Sequence, residues 1–243
     1  MERSAWNRFA KAREHCRSET ERLRHSLPEL QALQQRLVNG RSPSYTVETP
    51  IVYNSALDDI GPGSEIRLIL VADNPGRREQ AEENRRYLVG PSGKIAEKFF
   101  RDNPSLNIDF RANVIILNKT PVHTPRTAEL RELCKLGGAA LETALDDSQR
   151  IMARLLLEFQ RTLAVPVWIC GYSEMKKNGV FEAYTNELKA LYGGTDFMDE
   201  VFLYRHFSMN QFTIDLKQQA ASGETLAKTL ARIGTAYRQK FIG

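Results

Sequence analysis

The sequence predicts an α/β fold of three layers, α/β/α, with a central, mostly parallel four-stranded sheet preceded by an N-terminal helical hairpin. Two observations carry this prediction. Four short apolar runs, 66–72 (IRLILVA), 113–117 (NVIIL), 165–170 (VPVWIC) and 201–205 (VFLYR), are nearly continuous rather than alternating, as strands buried on both faces are. Segments of helical character separate them, and strands alternating with helices imply right-handed crossovers that cover both faces of a mostly parallel sheet.

In chain order, residues 3–37 place Trp6, Phe9, Leu23, Leu27, Leu30, Leu33 and Leu37 among charges at helical spacing, with Pro28 as a first-turn residue of a second helix after Ser26. Residues 39–64 are rich in turn formers around one β-prone run, Thr49 to Tyr53, and read as a connector. Beyond it, helical patterns are expected over 93–101, 127–136, 147–163, 173–192 and near 224–241. The whole chain, 1–243, reads as one domain: a helical extension (1–40), a connector (41–64) and an α/β core (65–243).

Composition narrows the function classes. A hydrophobic content of 42% supports a packed core, and 34 basic against 30 acidic residues give a net charge of +4, which fits a polyanion ligand without demanding one. Cys16, Cys134 and Cys170 are an odd number with no close pair, against a disulfide framework or a Cys-x-x-Cys metal knuckle. A reducing, cytoplasmic location and no membrane association are expected, since no apolar stretch approaches the ~20 residues that span a bilayer. The N-terminus also lacks the apolar core of a secretory signal.

In a parallel α/β sheet, ligands bind outside the carboxyl ends of the strands. Those ends are followed by Asp73-Asn74-Pro75-Gly76, Asn118-Lys119-Thr120-Pro121, Gly171-Tyr172-Ser173 and His206-Phe207-Ser208-Met209-Asn210. A phosphate-binding loop is excluded although GPSGK (90–94) has part of the pattern: Leu88 stands where its first Gly is needed and Ile95 where Ser or Thr is. A zinc hydrolase is excluded because His15, His25, His123 and His206 form no ligand-spaced pair.

The layout resembles the uracil-DNA glycosylase superfamily over roughly residues 66–212. Ala72-Asp73-Asn74-Pro75-Gly76 matches the water-activating G-x-N-P-G motif of the mismatch-specific and single-strand-selective branches, apart from Ala for the first Gly. Tyr87-Leu88-Val89-Gly90-Pro91-Ser92-Gly93 is similar to the P-F-V-G-x-A-G segment of the iron-sulfur branch, Asn118 to the Asn that ends the second strand, and His206-Phe207-Ser208 to the H-P-S motif. The resemblance implies a monofunctional glycosylase that removes uracil or a related deaminated base from DNA, acting as a monomer.

It also implies roles. Asn74 holds the attacking water, Asp73 is an adjacent candidate base, and His206 donates to the base oxygen as negative charge gathers there. Asn118 reads the Watson-Crick edge of a flipped base, with Ala72, Tyr87 and Leu88 around it. Gly90 and Ser92 offer backbone N–H groups, Ser208 a phosphate contact, and Met209 or Asn210 a wedge into the duplex. Lys119, Gly171 and Ser173, at the strand ends, are further DNA-contact candidates; monofunctional chemistry is favoured because no lysine is clearly positioned as an imine-forming nucleophile, though Lys119 is close to the site. The iron-sulfur branch needs four cysteines. Only Cys134 sits near such a position, Thr120 takes the place of its partner and Cys16 has no companion, so no cluster and no other cofactor is expected.

Plainer roles compete with these. Asn-Pro-Gly is also an ordinary turn, Asn118 a turn cap and His206 a strand-end histidine. Arg77, Arg78, Arg85 and Arg86 also read as a solvated face balanced by Glu79, Glu82 and Glu83. Tyr87 and Tyr172 read as packing residues. Leu88 in place of a stacking Phe, Phe207 in place of Pro and Ala72 in place of Gly favour an alternative: a superfamily member without activity, serving as a nucleic-acid or protein-binding module. A third reading is an enzyme of free nucleosides or nucleotides.

Overall fold

A computed structural model describes residues 2–243. Its centre is a four-stranded sheet of β1 (Leu68–Ala72), β2 (Val114–Asn118), β3 (Val167–Cys170) and β4 (Val201–Tyr204), in the order β2-β1-β3-β4. Every pairing is parallel, so the expected "mostly parallel" sheet is wholly so. The register sets Ala72 beside Asn118 and Cys170 beside Tyr204, which brings the four carboxyl ends to one edge.

The strands lack alternation because both faces are covered. Ile69, Val71, Ile115, Leu117, Val167, Ile169, Val201 and Leu203 pack with α1 (Arg3–Ser26), α4 (Glu129–Leu163) and α5 (Glu182–Tyr192) on one side. Leu68, Leu70, Ile116, Trp168 and Tyr204 pack with α3 (Pro91–Asp102), α6 (Gln211–Gln219) and α7 (Leu226–Phe241) on the other. The N-terminal helices are α1 and α2 (Leu30–Asn39), and Pro28 falls in the turn between them rather than in the second helix.

Three elements differ from expectation. The patterns at 127–136 and 147–163 belong to one helix, α4, broken only at Gly138, whose φ of 68° and ψ of −167° leave the helical region. Leu141 and Leu145 continue its buried stripe between the two patterns. The pattern at 173–192 is a 3₁₀ turn, Tyr172–Glu174, followed by α5. The β-prone run Thr49 to Tyr53 forms only an isolated antiparallel bridge between Ile51 and Val122. Side-chain amides strap this connector in place of a ladder: Gln34 Nε2 donates to the carbonyls of Pro50 and His123, and Asn54 Nδ2 to that of Ile116. Pro50, without an N–H, is a poor strand residue.

No helix among the described residues is long and apolar enough to cross a membrane.

Candidate active site at the carboxyl edge of the sheet

A cavity of about 600 Å³ opens at the carboxyl edge of the sheet, lined from the ends of β1, β2 and β4. Ala72 at the end of β1 and Asp73, Asn74 and Gly76 after it form one wall, and Leu88, Gly90 and Ser92 around the start of α3 form another. Thr124 and Thr127, beyond β2, face His206, Ser208 and Met209, beyond β4. Segments far apart in the chain therefore meet at one cavity, because the parallel crossovers return every strand in the same direction.

Asp73 borders this cavity, and its carboxylate engages Lys119 and Thr127, with no ion pair to Arg77 or Arg78. Its Oδ1 accepts from Lys119 Nζ at 2.6 Å, and its Oδ2 from Thr127 Oγ1 at 3.1 Å. Lys119 is 0% exposed and also donates to the Cys170 carbonyl at 2.6 Å. The expectation that Lys119 contacts DNA is therefore corrected: its ammonium is sealed beneath the site and holds Asp73. Gly171 is part of the same arrangement. Its φ is 88°, and a Cβ there would lie 2.5 Å from Asp73 Oδ1, so glycine leaves the room that the carboxylate occupies. Gly171 is buried and Ser173 is exposed, and neither borders the cavity, so both are withdrawn as DNA contacts at this site.

Asn74 is oriented by its neighbours. The Thr124 carbonyl can only accept, so the Asn74 Nδ2 at 3.2 Å must face it, with Thr124 Oγ1 also at 2.9 Å. The amide oxygen is left facing Thr127 Oγ1 at 3.2 Å. One hydroxyl thus stands between the Asp73 carboxylate and the Asn74 amide. The loop behind is fixed by His123, fully buried, whose Nδ1 donates to the Pro75 carbonyl at 2.8 Å while its Nε2 accepts from the Tyr45 hydroxyl at 2.8 Å. Burial pulls the His123 pKa down to about 4, so the ring is neutral at pH 7.

His206 is held in a defined tautomer. The Ser208 backbone N–H donates to its Nδ1 at 3.0 Å, so the proton of the neutral ring sits on Nε2. Burial lowers its pKa, the nearby Asp73 opposes that shift, and Lys119 reinforces it. Phe207, in the place where the resembling motif has Pro, turns inward and stacks on Phe212 at 4.4 Å. The tip beyond it is strained: Met209 and Asn210 have φ of 50° and 59°, and Met209 is 80% exposed at the cavity rim. Asn210 is exposed but does not border the cavity.

The opposite wall is apolar backbone tied by one acid. Leu88 borders the cavity with φ of 52°, and Gly93 lets it sit there, since a Cβ at 93 would lie 1.5 Å from the Leu88 carbonyl oxygen. Glu79 accepts from the N–H of Gly76 at 2.8 Å and from those of Leu88 and Val89, so it clamps the Asn-Pro-Gly loop to this segment. Its carboxyl is buried, and burial raises its pKa to about 7. It does not balance the arginines as the charge pattern suggests. Arg86 pairs with Asp59 instead, and Arg77 and Arg78 border the cavity with no ion pair among the described residues.

Two expected base contacts sit elsewhere. Tyr87 is buried, donates its hydroxyl to the Val52 carbonyl and does not border the cavity, so its base-binding role is replaced by a packing one. Asn118 is 1% exposed, beside Ala72 in the sheet, and its Nδ2 has no hydrogen-bond partner. Thr124, Thr127, Glu79 and His123 were not read as site residues from the sequence. The polar cluster HTPRT (123–127), just past a strand end, is the signal that marks three of them.

The three cysteines are free thiols, and no group of three or more His, Cys, Asp or Glu among the described residues is placed to hold a metal ion. No family model matches the chain, and neither does any curated protein.

Proposed function

We propose that the chain is a monofunctional DNA glycosylase of the uracil-DNA glycosylase type, hydrolysing the N-glycosidic bond of uracil or a related deaminated base and leaving an abasic site. The observation that carries this reading is the convergence of Asp73, Asn74, Thr127 and His206, from three strand ends, on one cavity with their polar atoms in fixed orientations.

The chemistry follows from those orientations. As the C1′–N bond breaks, its electron pair moves onto the base, and the His206 Nε2 proton stabilises the oxygen where that charge gathers. Water bound to the Asn74 amide oxygen attacks the oxocarbenium-like C1′. Its proton leaves toward the Thr127 hydroxyl, which passes its own to Asp73 Oδ2. Lys119 and Gly171 hold that carboxylate in place, and Leu88 forms the apolar wall against the base.

Oligonucleotides containing uracil, hypoxanthine or xanthine, with released base read by mass, test the proposal. Base release is expected from at least one and is lost in Asn74→Ala and His206→Ala. Release unchanged in both variants sinks the assigned site. The burial of Asn118 favours a second reading, a module that binds nucleic acid without chemistry; salt-sensitive oligonucleotide binding with no base released from any substrate would establish it instead.

A further inference from the structure

A second cavity, of about 730 Å³, lies against the first, and the same two side chains, Arg77 and Arg78, border both. Tyr45, Gln80 and Val89 are among the residues on its far walls. Other arginines near the candidate site have carboxylate partners: Arg41 and Arg126 share Glu129, Arg86 has Asp59 and Arg111 has Glu97. Arg77 and Arg78 are exposed and have no ion pair among the described residues. The Arg77 guanidinium rests 4.8 Å from the centroid of the Tyr45 ring, which props a cation at the boundary between the cavities. The carboxylates on the rim of the second cavity are engaged locally, Glu48 by the Glu82 N–H and Glu83 by the Asn84 side chain.

We infer that this second cavity is a subsite for the nucleotide adjoining the excised one, with its base against Tyr45 and Arg77 and the connecting phosphate on Arg78. The inference rests on the glycosylase reading and adds strand preference to it. The excised base leaves the stack in either kind of strand, but an adjoining base laid on Tyr45 and Arg77 has also left its own stack and its pairing partner. The strand that fits is therefore single-stranded DNA, whose bases are free to part and to lie on aromatic and guanidinium surfaces. The subsite also reaches the reaction centre. The Tyr45 hydroxyl donates to His123 Nε2, and His123 Nδ1 donates to the Pro75 carbonyl, next to Asn74.

Fluorescence anisotropy with a labelled, uracil-free oligothymidylate, free and annealed to its complement, tests this without reliance on base release. The wild-type chain is expected to bind the single strand more tightly than the duplex. Arg78→Ala should weaken single-strand binding about tenfold and flatten the dependence of log K on log salt by about 0.7, the loss of one phosphate contact. Tyr45→Ala should weaken it by about fivefold or more with the salt slope unchanged, and Tyr45→Phe, which keeps the ring, should retain binding. Arg101→Ala, which removes an exposed arginine from α3, controls for general loss of charge. Binding in Arg78→Ala and Tyr45→Ala equal to that of Arg101→Ala overturns the subsite while leaving the glycosylase reading intact. A wild-type chain that binds duplex as tightly as the single strand, or binds neither, also overturns the subsite, and the glycosylase reading then stands or falls on base release alone.

Discussion

Asp73 has one oxygen on the Lys119 ammonium and the other on the Thr127 hydroxyl, so only the second leads toward a reacting water. Thr127 Oγ1 has a single proton and two acceptors, Asp73 Oδ2 at 3.1 Å and Asn74 Oδ1 at 3.2 Å. It must choose between them unless a water supplies the second. Thr127→Val keeps the shape and removes the relay; base release is expected to fall about 100-fold in kcat, within the usual range for losing a positioned proton acceptor. Thr127→Ser restores the hydroxyl and should stay within about threefold of wild type. A valine variant as fast as the serine one would remove Thr127 from the mechanism. Gly171 makes a different prediction. A methyl group there meets Asp73 Oδ1 at 2.5 Å on a backbone with φ of 88°, so Gly171→Ala should lose both activity and about 1–3 kcal/mol of stability in urea denaturation. Thr127→Val should lose activity alone.

At the scale of elements, what was legible depended on whether the determinants were local. The four strands could be read as continuous apolar runs because both sheet faces are covered, and the rule that ligands bind at strand carboxyl ends then found Asp73, Asn74 and His206. Gly137-Gly138 hid the continuity of α4, since a helix can carry one non-helical residue when the buried stripe on either side of it holds. Thr127 and His123 escaped notice because their partners lie 54 and 48 residues away, and Lys119 was misplaced because nothing local shows that it is buried. The Met209–Asn210 tip was placed from the resemblance, and its geometry suits a wedge. Two adjacent left-handed residues outside glycine are costly, and an 80% exposed methionine gains nothing from packing. Met209→Ala is expected to leave base release from single strands unchanged and to slow release from duplex about tenfold, since only duplex needs a wedge to extrude the base. Equal effects on both substrates would remove Met209 from base flipping.

For the whole molecule, the consequence lies in how pH acts on the grip around the Asn-Pro-Gly loop. Glu79 holds Gly76 N–H and His123 holds the Pro75 carbonyl, so two buried titratable groups fix adjacent residues from opposite sides. Glu79 is raised from 4.5 to about 7: the folded state binds its proton more tightly, and that contribution is full below 4.5 and lost as pH rises through 7. His123 is lowered from 6.5 to about 4: the unfolded state binds the extra proton, so that contribution is full above 6.5 and lost as pH falls through 4. Each displacement corresponds to about 3 kcal/mol. Between pH 4.5 and 6.5 the folded chain carries one proton on Glu79 and the unfolded chain one on His123, so the pair adds no net slope to stability there. Removing one partner exposes the other. Relative to wild type in urea denaturation, Glu79→Gln should gain stability as pH rises from 4.5 to 7. His123→Gln, whose amide can still donate to Pro75 and accept from Tyr45, should lose stability relative to wild type as pH rises from 4 to 6.5. Difference curves of the same sign in both variants would mean that these side chains do not titrate as opposed halves of one clamp, and that burial is not what sets their charge.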